Sequence, residues 1–216
     1  MTTVFFLRHA ESTANEKGVL AGRTPGVELS DRGAKQAKKL TSYLSDFDFD
    51  VIISSPLERC LQTVAPYLDK TSKELHELSE FQEMDYGSWS GRELNVLAKK
   101  REWQIIQKTP EEFGFPRGES FKAAARRVRK GLSAIQRDYP DKRILIVSHG
   151  DIIKIAVTVS LALPLKNFQK LIIDPGSLTS INLSQGTLLF LNQKANLKSK
   201  VSQLGNRLML GGGTDR

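Results

Sequence analysis

Three apolar runs, each closed by a short polar motif, constrain this chain more than any other feature. Val4-Phe5-Phe6-Leu7 leads into Arg8-His9-Ala10-Glu11-Ser12, and Val51-Ile52-Ile53 leads into Ser54-Ser55-Pro56-Leu57-Glu58-Arg59. Ile144-Leu145-Ile146-Val147 leads into Ser148-His149-Gly150-Asp151. Continuous runs of this kind, rich in β-branched residues, read as strands buried on both faces of a parallel sheet. Ligands of open α/β sheets bind beyond the carboxyl ends of the strands. Three strand ends therefore deliver Arg8, His9, Arg59 and His149 to one crevice.

The intervening sequence fits that reading. Strands are predicted over 3–8, 50–54 and 143–148, with a short one near 74–78. Helices are predicted over 30–44 (capped by Ser30), 57–68, 119–138 and 150–162, the third ended by the turn Tyr139-Pro140-Asp141. After Pro164 three more strands are predicted, near 168–173, 178–184 and 187–192, the last two close enough for an antiparallel hairpin. Strands alternating with helices imply parallel βαβ units. The fold class is α/β: a three-layer αβα sandwich on a mainly parallel, mixed sheet. No repeat or linker divides the chain, so residues 1–200 read as one domain, and 201–216, ending Gly211-Gly212-Gly213, as a C-terminal extension whose end frays.

Charge and cysteine content narrow the partners. The net charge of +8 is spread over helices, densest at Arg126-Arg127-Val128-Arg129-Lys130. Without aromatic residues interleaved, such a run reads as a solvated helix face and argues against nucleic acid as a partner. The three histidines, His9, His76 and His149, form no metal-ligand spacing, so neither metal nor cofactor is expected. No apolar stretch is long enough to span a bilayer, and the chain enters a strand with no signal-like segment before it, which points to the cytoplasm. The single cysteine, Cys60, reads as a small residue packed early in a helix, although the neighbouring Arg59 could lower its pKa. His76 reads as structural or exposed, and Trp89 and Trp103 as packing residues.

The crevice suits a phosphate monoester. Arg8 and Arg59 can hold a dianion through planar, bidentate hydrogen bonds. Like charge beside a histidine lowers its pKa and keeps it neutral with a free lone pair, as a nucleophile on phosphorus requires. A second histidine can donate to the nonbridging oxygens.

Leu7-Arg8-His9-Ala10-Glu11-Ser12-Thr13-Ala14-Asn15 resembles the signature of the histidine phosphatase superfamily, the phosphoglycerate-mutase-like fold. Ser54 to Thr63, Glu83-Met84-Asp85-Tyr86-Gly87-Ser88-Trp89-Ser90-Gly91 and Ser148-His149-Gly150-Asp151 resemble its later motifs, in family order, with Gly118-Glu119-Ser120 between. The stretch Leu20 to Leu29 further resembles an actinobacterial-type branch labelled "probable phosphomutase". The resemblance implies His9 as a nucleophile forming phosphohistidine. It implies Arg8, Arg59 and His149 as the phosphate pocket, Glu83 as general acid and then base, and Asn15 as a further phosphate contact, supported by Ser12 and Ser148. One position departs from the pattern: Ala10 stands where the family has glycine, which matters only if that position needs a positive φ.

The same resemblance leaves two activities open. Cofactor-dependent phosphoglycerate mutases carry a long insertion over the site, whereas the stretch from Gly91 to Gly118 is short here, which favours hydrolysis over phosphomutase chemistry. The expected substrate is a small phosphorylated anion, with Arg23, Arg92 and Arg117 as candidate contacts for its remainder. A noncatalytic phospholigand-binding protein is the alternative from another class.

Overall fold

A computed structural model describes residues 1–195. One six-stranded sheet runs through it, in the order β3-β2-β4-β1-β5-β6. Its strands are β1 (Thr3–Arg8), β2 (Val51–Ser54), β3 (Leu75–Glu77), β4 (Arg143–Ser148), β5 (Leu178–Asn182) and β6 (Thr187–Gln193). The first four are mutually parallel, and β5 and β6 form an antiparallel hairpin whose β5 lies antiparallel to β1. The predicted extension 201–216 lies outside the described residues.

Alternation along the central strands builds two apolar layers, one on each face. Val4, Phe6, Ile53, Ile144 and Ile146 pack against α6 (Phe121–Asp138) and α7 (Gly150–Ser160). Phe5, Leu7, Ile52, Leu145 and Val147 pack against α2 (Asp31–Leu44) and α3 (Glu58–Thr71). Each fully buried Phe, Leu or Ile contributes roughly 1.5–3 kcal/mol relative to exposure. The sandwich read from the sequence is therefore the fold, and no helix among the described residues is long and apolar enough to cross a membrane.

Local signals explain most boundaries. The Ser30 side chain accepts from Gly33 N at 3.0 Å, capping α2 as predicted. Ser120 caps α6 in the same way, at Ala123 N. The strand predicted near 168–173 does not form. Leu165–Lys170 is instead a run of 3-10 turns that drives Phe168 against Phe121, ring centroids 4.9 Å apart. The apolar run looked like a strand, but β5 already occupies the free edge of β1, leaving 168–173 no partner there. Three short helices escaped the sequence reading: α1 (Thr13–Glu16), α4 (Leu94–Leu97) and α5 (Arg101–Lys108).

Candidate active site

Strand register brings the two histidines together. Parallel pairing sets Arg8 opposite Ser148, so His9 and His149 follow side by side, ring centroids 5.3 Å apart. The adjacent β2 adds Ser55, whose amide donates to Val147 O at 2.9 Å. Arg59 then enters from the first turn of α3 and is 1% exposed. The cleft over these strand ends has a volume of about 490 Å³ and is lined by Arg8, His9, Asn15, Arg59 and Glu83 among others.

Hydrogen bonds fix the state of each ring. His9 Nδ1 lies 2.7 Å from Ala10 O. A carbonyl only accepts, so Nδ1 carries the proton and Nε2 keeps its lone pair. Burial holds His9 well below the usual histidine range, reinforced by the Arg59 and Arg8 charges. Burial thus leads, ahead of the like charge expected from sequence. Ala10 is absent from the positive-φ residues, so the position the family fills with glycine makes no demand that alanine cannot meet. On the other ring, His149 Nδ1 accepts from Arg59 Nη2 at 3.1 Å and Nε2 faces Ser55 Oγ at 2.8 Å. Burial, then Arg59, keeps His149 neutral as well.

The guanidiniums are charged and incompletely paired. Arg8 Nη1 donates to Ile173 O at 2.5 Å, and Arg59 Nη2 to Gly22 O at 2.9 Å. Arg8 Nε and Arg59 Nη1 are buried without a partner among the described residues, and neither arginine forms an ion pair there. An unmet buried donor costs roughly 1–3 kcal/mol, and more when charged. An anion seated between them would remove that cost.

Glu83 stands at the cleft wall. Its Oε1 accepts from Met84 N at 2.9 Å, so the proton of the acid form resides on Oε2, which lies 3.9 Å from His149 Nδ1. Burial and then the nearby Asp151 carboxylate push its pKa up to about 7. Asp151 accepts from the Tyr86 hydroxyl at 2.9 Å and pairs with Lys154 at 3.4 Å. Since the Asp151 charge raises Glu83, Asp151→Asn is expected to lower the Glu83 pKa, which NMR titration of the Glu83 carboxyl reads directly.

The loop bearing Glu83 is caged. Arg127 Nη1 donates to Glu80 O (2.8 Å) and Gln82 O (2.9 Å), and its Nη2 to Glu119 Oε1 (2.6 Å). The same oxygen accepts from Asp85 N, and Arg23 spans Glu83 O (2.8 Å) and Glu119 Oε1 (3.1 Å). Gly87 and Gly118 permit the final approach: a Cβ on Gly87 would lie 2.6 Å from Gly118 N, and one on Gly118 2.7 Å from Gly87 N. Arg127 is therefore no solvated charge of its basic run.

Other residues singled out in the sequence fall elsewhere. Arg23 does not line the cleft, and Arg92 and Arg117 are exposed and also outside it. Asn15 does line it, its Oδ1 accepting from the Ser12 amide and hydroxyl at 3.1 and 3.0 Å. Ser148 Oγ donates to Phe81 O at 2.7 Å behind the site. Cys60 is fully buried and its thiol is pushed up to about 12 by burial, which outweighs the Arg59 charge expected to lower it. His76 is exposed, Trp89 is buried, and Trp103 lines the cleft rather than only packing. Asp151, Tyr86, Ser55 and Glu119 were not singled out, although Asp151 lies two residues past His149 in a motif already visible. No group of His, Cys, Asp and Glu among the described residues could hold a metal ion.

A mainly parallel sheet whose strand ends present two neutral histidines, two guanidiniums and an acid with raised pKa defines an α/β enzyme built for phosphoryl groups. The sequence model of the histidine phosphatase superfamily (branch 1) matches residues 4–195, and the chain belongs to that superfamily as an enzyme of phosphatase type. It is 30% identical over 158 residues to the uncharacterized phosphatase PhoE of Bacillus subtilis, covering 73% of this chain and 77% of the relative. It is 29% identical over 203 residues to the adenosylcobalamin/alpha-ribazole phosphatase of Salmonella typhimurium, covering 89% and 96%. A phosphoserine phosphatase from Entamoeba histolytica, solved with phosphoserine, superposes with a TM-score of 0.80 at 26% identity, covering 91% of this chain and 100% of that one.

Proposed function

We propose that the chain is a metal-independent phosphomonoester hydrolase working through phosphohistidine on His9. The observation that carries this reading is the pair of buried guanidinium nitrogens without partners, Arg8 Nε and Arg59 Nη1, beside a histidine whose Nε2 keeps its lone pair. In the first step His9 Nε2 attacks phosphorus, the bond to the ester oxygen breaks, and Glu83 Oε2 passes its proton to that oxygen. In the second, the Glu83 carboxylate takes a proton from water. The water oxygen attacks phosphorus, and the P–N bond returns its electron pair to His9. Arg8 and Arg59 balance the phosphoryl charge throughout. The arriving dianion also offsets the cationic field that reinforces burial in holding His149 neutral, so His149 can take up a proton from solvent and donate to a phosphoryl oxygen. Asn15 is a further contact through its free amide.

Hydrolysis is favoured over mutase chemistry by the short stretch from Gly91 to Gly118 and by the phosphatase names of the relatives. The deciding assay measures phosphate release from p-nitrophenyl phosphate in EDTA, beside interconversion of phosphoglycerates primed with the bisphosphate. Metal-independent release is the expected result. Interconversion faster than hydrolysis would make the chain a mutase, and ligand binding without either reaction would make it a binding protein.

A further inference from the structure

Resting on that reading, we propose that the part of the substrate leaving with the ester oxygen is an uncharged, aromatic or apolar group seated against Trp103. Beyond the phosphate end, the cleft is lined by Leu20, Leu94, Trp103, Leu171 and Ile172. Two of these stand out in water: Ile172 is 68% exposed and Leu94 38%. Large apolar side chains held at a cleft mouth mark a surface that a ligand covers. Trp103 is half-buried, packed on one side against the main core and bordering the cleft on the other.

Charge points the same way. Only three cationic side chains line the cleft among the described residues: Arg8, Arg59 and Lys154. The two arginines hold the phosphoryl group. Lys154 is committed to Asp151 at 3.4 Å and Gln169 at 3.3 Å, and its ammonium lies over the Phe168 ring at 5.6 Å. Asp151, paired with Lys154, and Asp174, paired with Lys194 Nζ at 2.8 Å, leave no surplus positive charge on the same wall. A second anionic group on the substrate, such as the carboxylate of phosphoserine or 3-phosphoglycerate, would lose its hydration against carboxylates and gain no free cation. An aromatic alcohol meets Trp103 and the aliphatic rim instead, where stacking adds to the gain from the apolar area buried.

The test compares kcat/KM for 1-naphthyl phosphate, glycerol 2-phosphate and 3-phosphoglycerate, with titration calorimetry of the first and third. The wild type is expected to prefer 1-naphthyl phosphate in both readouts. Trp103→Ala should cut its preference for 1-naphthyl phosphate over glycerol 2-phosphate about tenfold. Because Trp103 also packs, Ile172→Lys provides a second variant at an exposed position. It places a free cation at the mouth and should raise the handling of 3-phosphoglycerate relative to 1-naphthyl phosphate. Equal or better turnover and binding of 3-phosphoglycerate by the wild type would overturn the proposal, as would ratios unmoved by both variants. If no substrate releases phosphate, the hydrolase reading fails on its own, and calorimetry still ranks the two ligands.

Discussion

His9→Ala is expected to abolish phosphate release and covalent labelling together. Incubation of the wild type with a radiolabelled phosphomonoester, followed by rapid alkaline quenching, should leave label on the protein that is stable to alkali and lost in acid, as a phosphoramidate bond requires. The variant should carry none, and its kcat/KM should fall ten-thousand-fold or more, roughly the scale of losing a nucleophile. The side chain lines the cleft rather than filling the apolar layers, so the variant should fold. Its circular dichroism and urea midpoint should stay near wild type. Retained labelling in His9→Ala would move the nucleophile elsewhere, and His149, 5.3 Å away between ring centroids, would be the first residue to test.

Glu83→Gln gives the second large effect, and its size should depend on the leaving group. An alkoxide needs a proton as it departs, so hydrolysis of an alkyl phosphate should drop roughly 100- to 10,000-fold, the usual range for a positioned general acid. A nitrophenolate leaves without help, so phosphorylation by p-nitrophenyl phosphate should suffer far less, and a burst of nitrophenol should precede slow dephosphorylation. The pH dependence follows from signs. The Glu83 pKa is raised to about 7, so the acid form needed in the first step is present below that value and lost above it. His9 is lowered, so its neutral form persists into the acidic range. For alkyl phosphates, kcat/KM should therefore hold on the acidic side and fall as pH rises past about 7. Glu83→Gln should remove that fall. An unchanged profile in the variant would assign the limb to another group.

Much of this was legible because the strands are long, continuous and buried on both faces. The bounds predicted for Arg143–Ser148 are those observed. Residues anchored to such strands, His9 and His149 above all, land where the strands end, so register carried them to the cleft. Readings failed where tertiary partners decide. Arg127 sits in a basic run with the look of solvent, yet its Nη1 and Nη2 groups donate to three oxygens in and around the Glu83 loop. Arg23, expected as a substrate contact, instead spans Glu83 O and Glu119 Oε1. The run 168–173 is apolar enough for a strand, but it serves the cleft: Ile173 O receives Arg8, and Leu171 and Ile172 form the rim. Helices α4 and α5 are too short to announce themselves by periodicity, since isolated helices of that length are marginal without a surface to pack on.

The contact between Gly87 and Gly118 has a consequence for how such an enzyme diversifies. The chain departs at Gly91, where its amide donates to Leu20 O, and returns at Gly118, where Glu119 N donates to Asp85 O and Ser88 N to Pro116 O. Between these fixed points the chain lends Leu94, Trp103 and Gln107 to the cleft and carries neither the nucleophile, the acid nor the guanidiniums. The excursion behaves as an interchangeable cap with both ends clamped. Lengthening a loop whose ends are already fixed costs little, about 0.6 kcal/mol per doubling. New caps can thus be tried on an unaltered reaction centre, and the identity of the alcohol released becomes free to drift while the chemistry that releases it stays still.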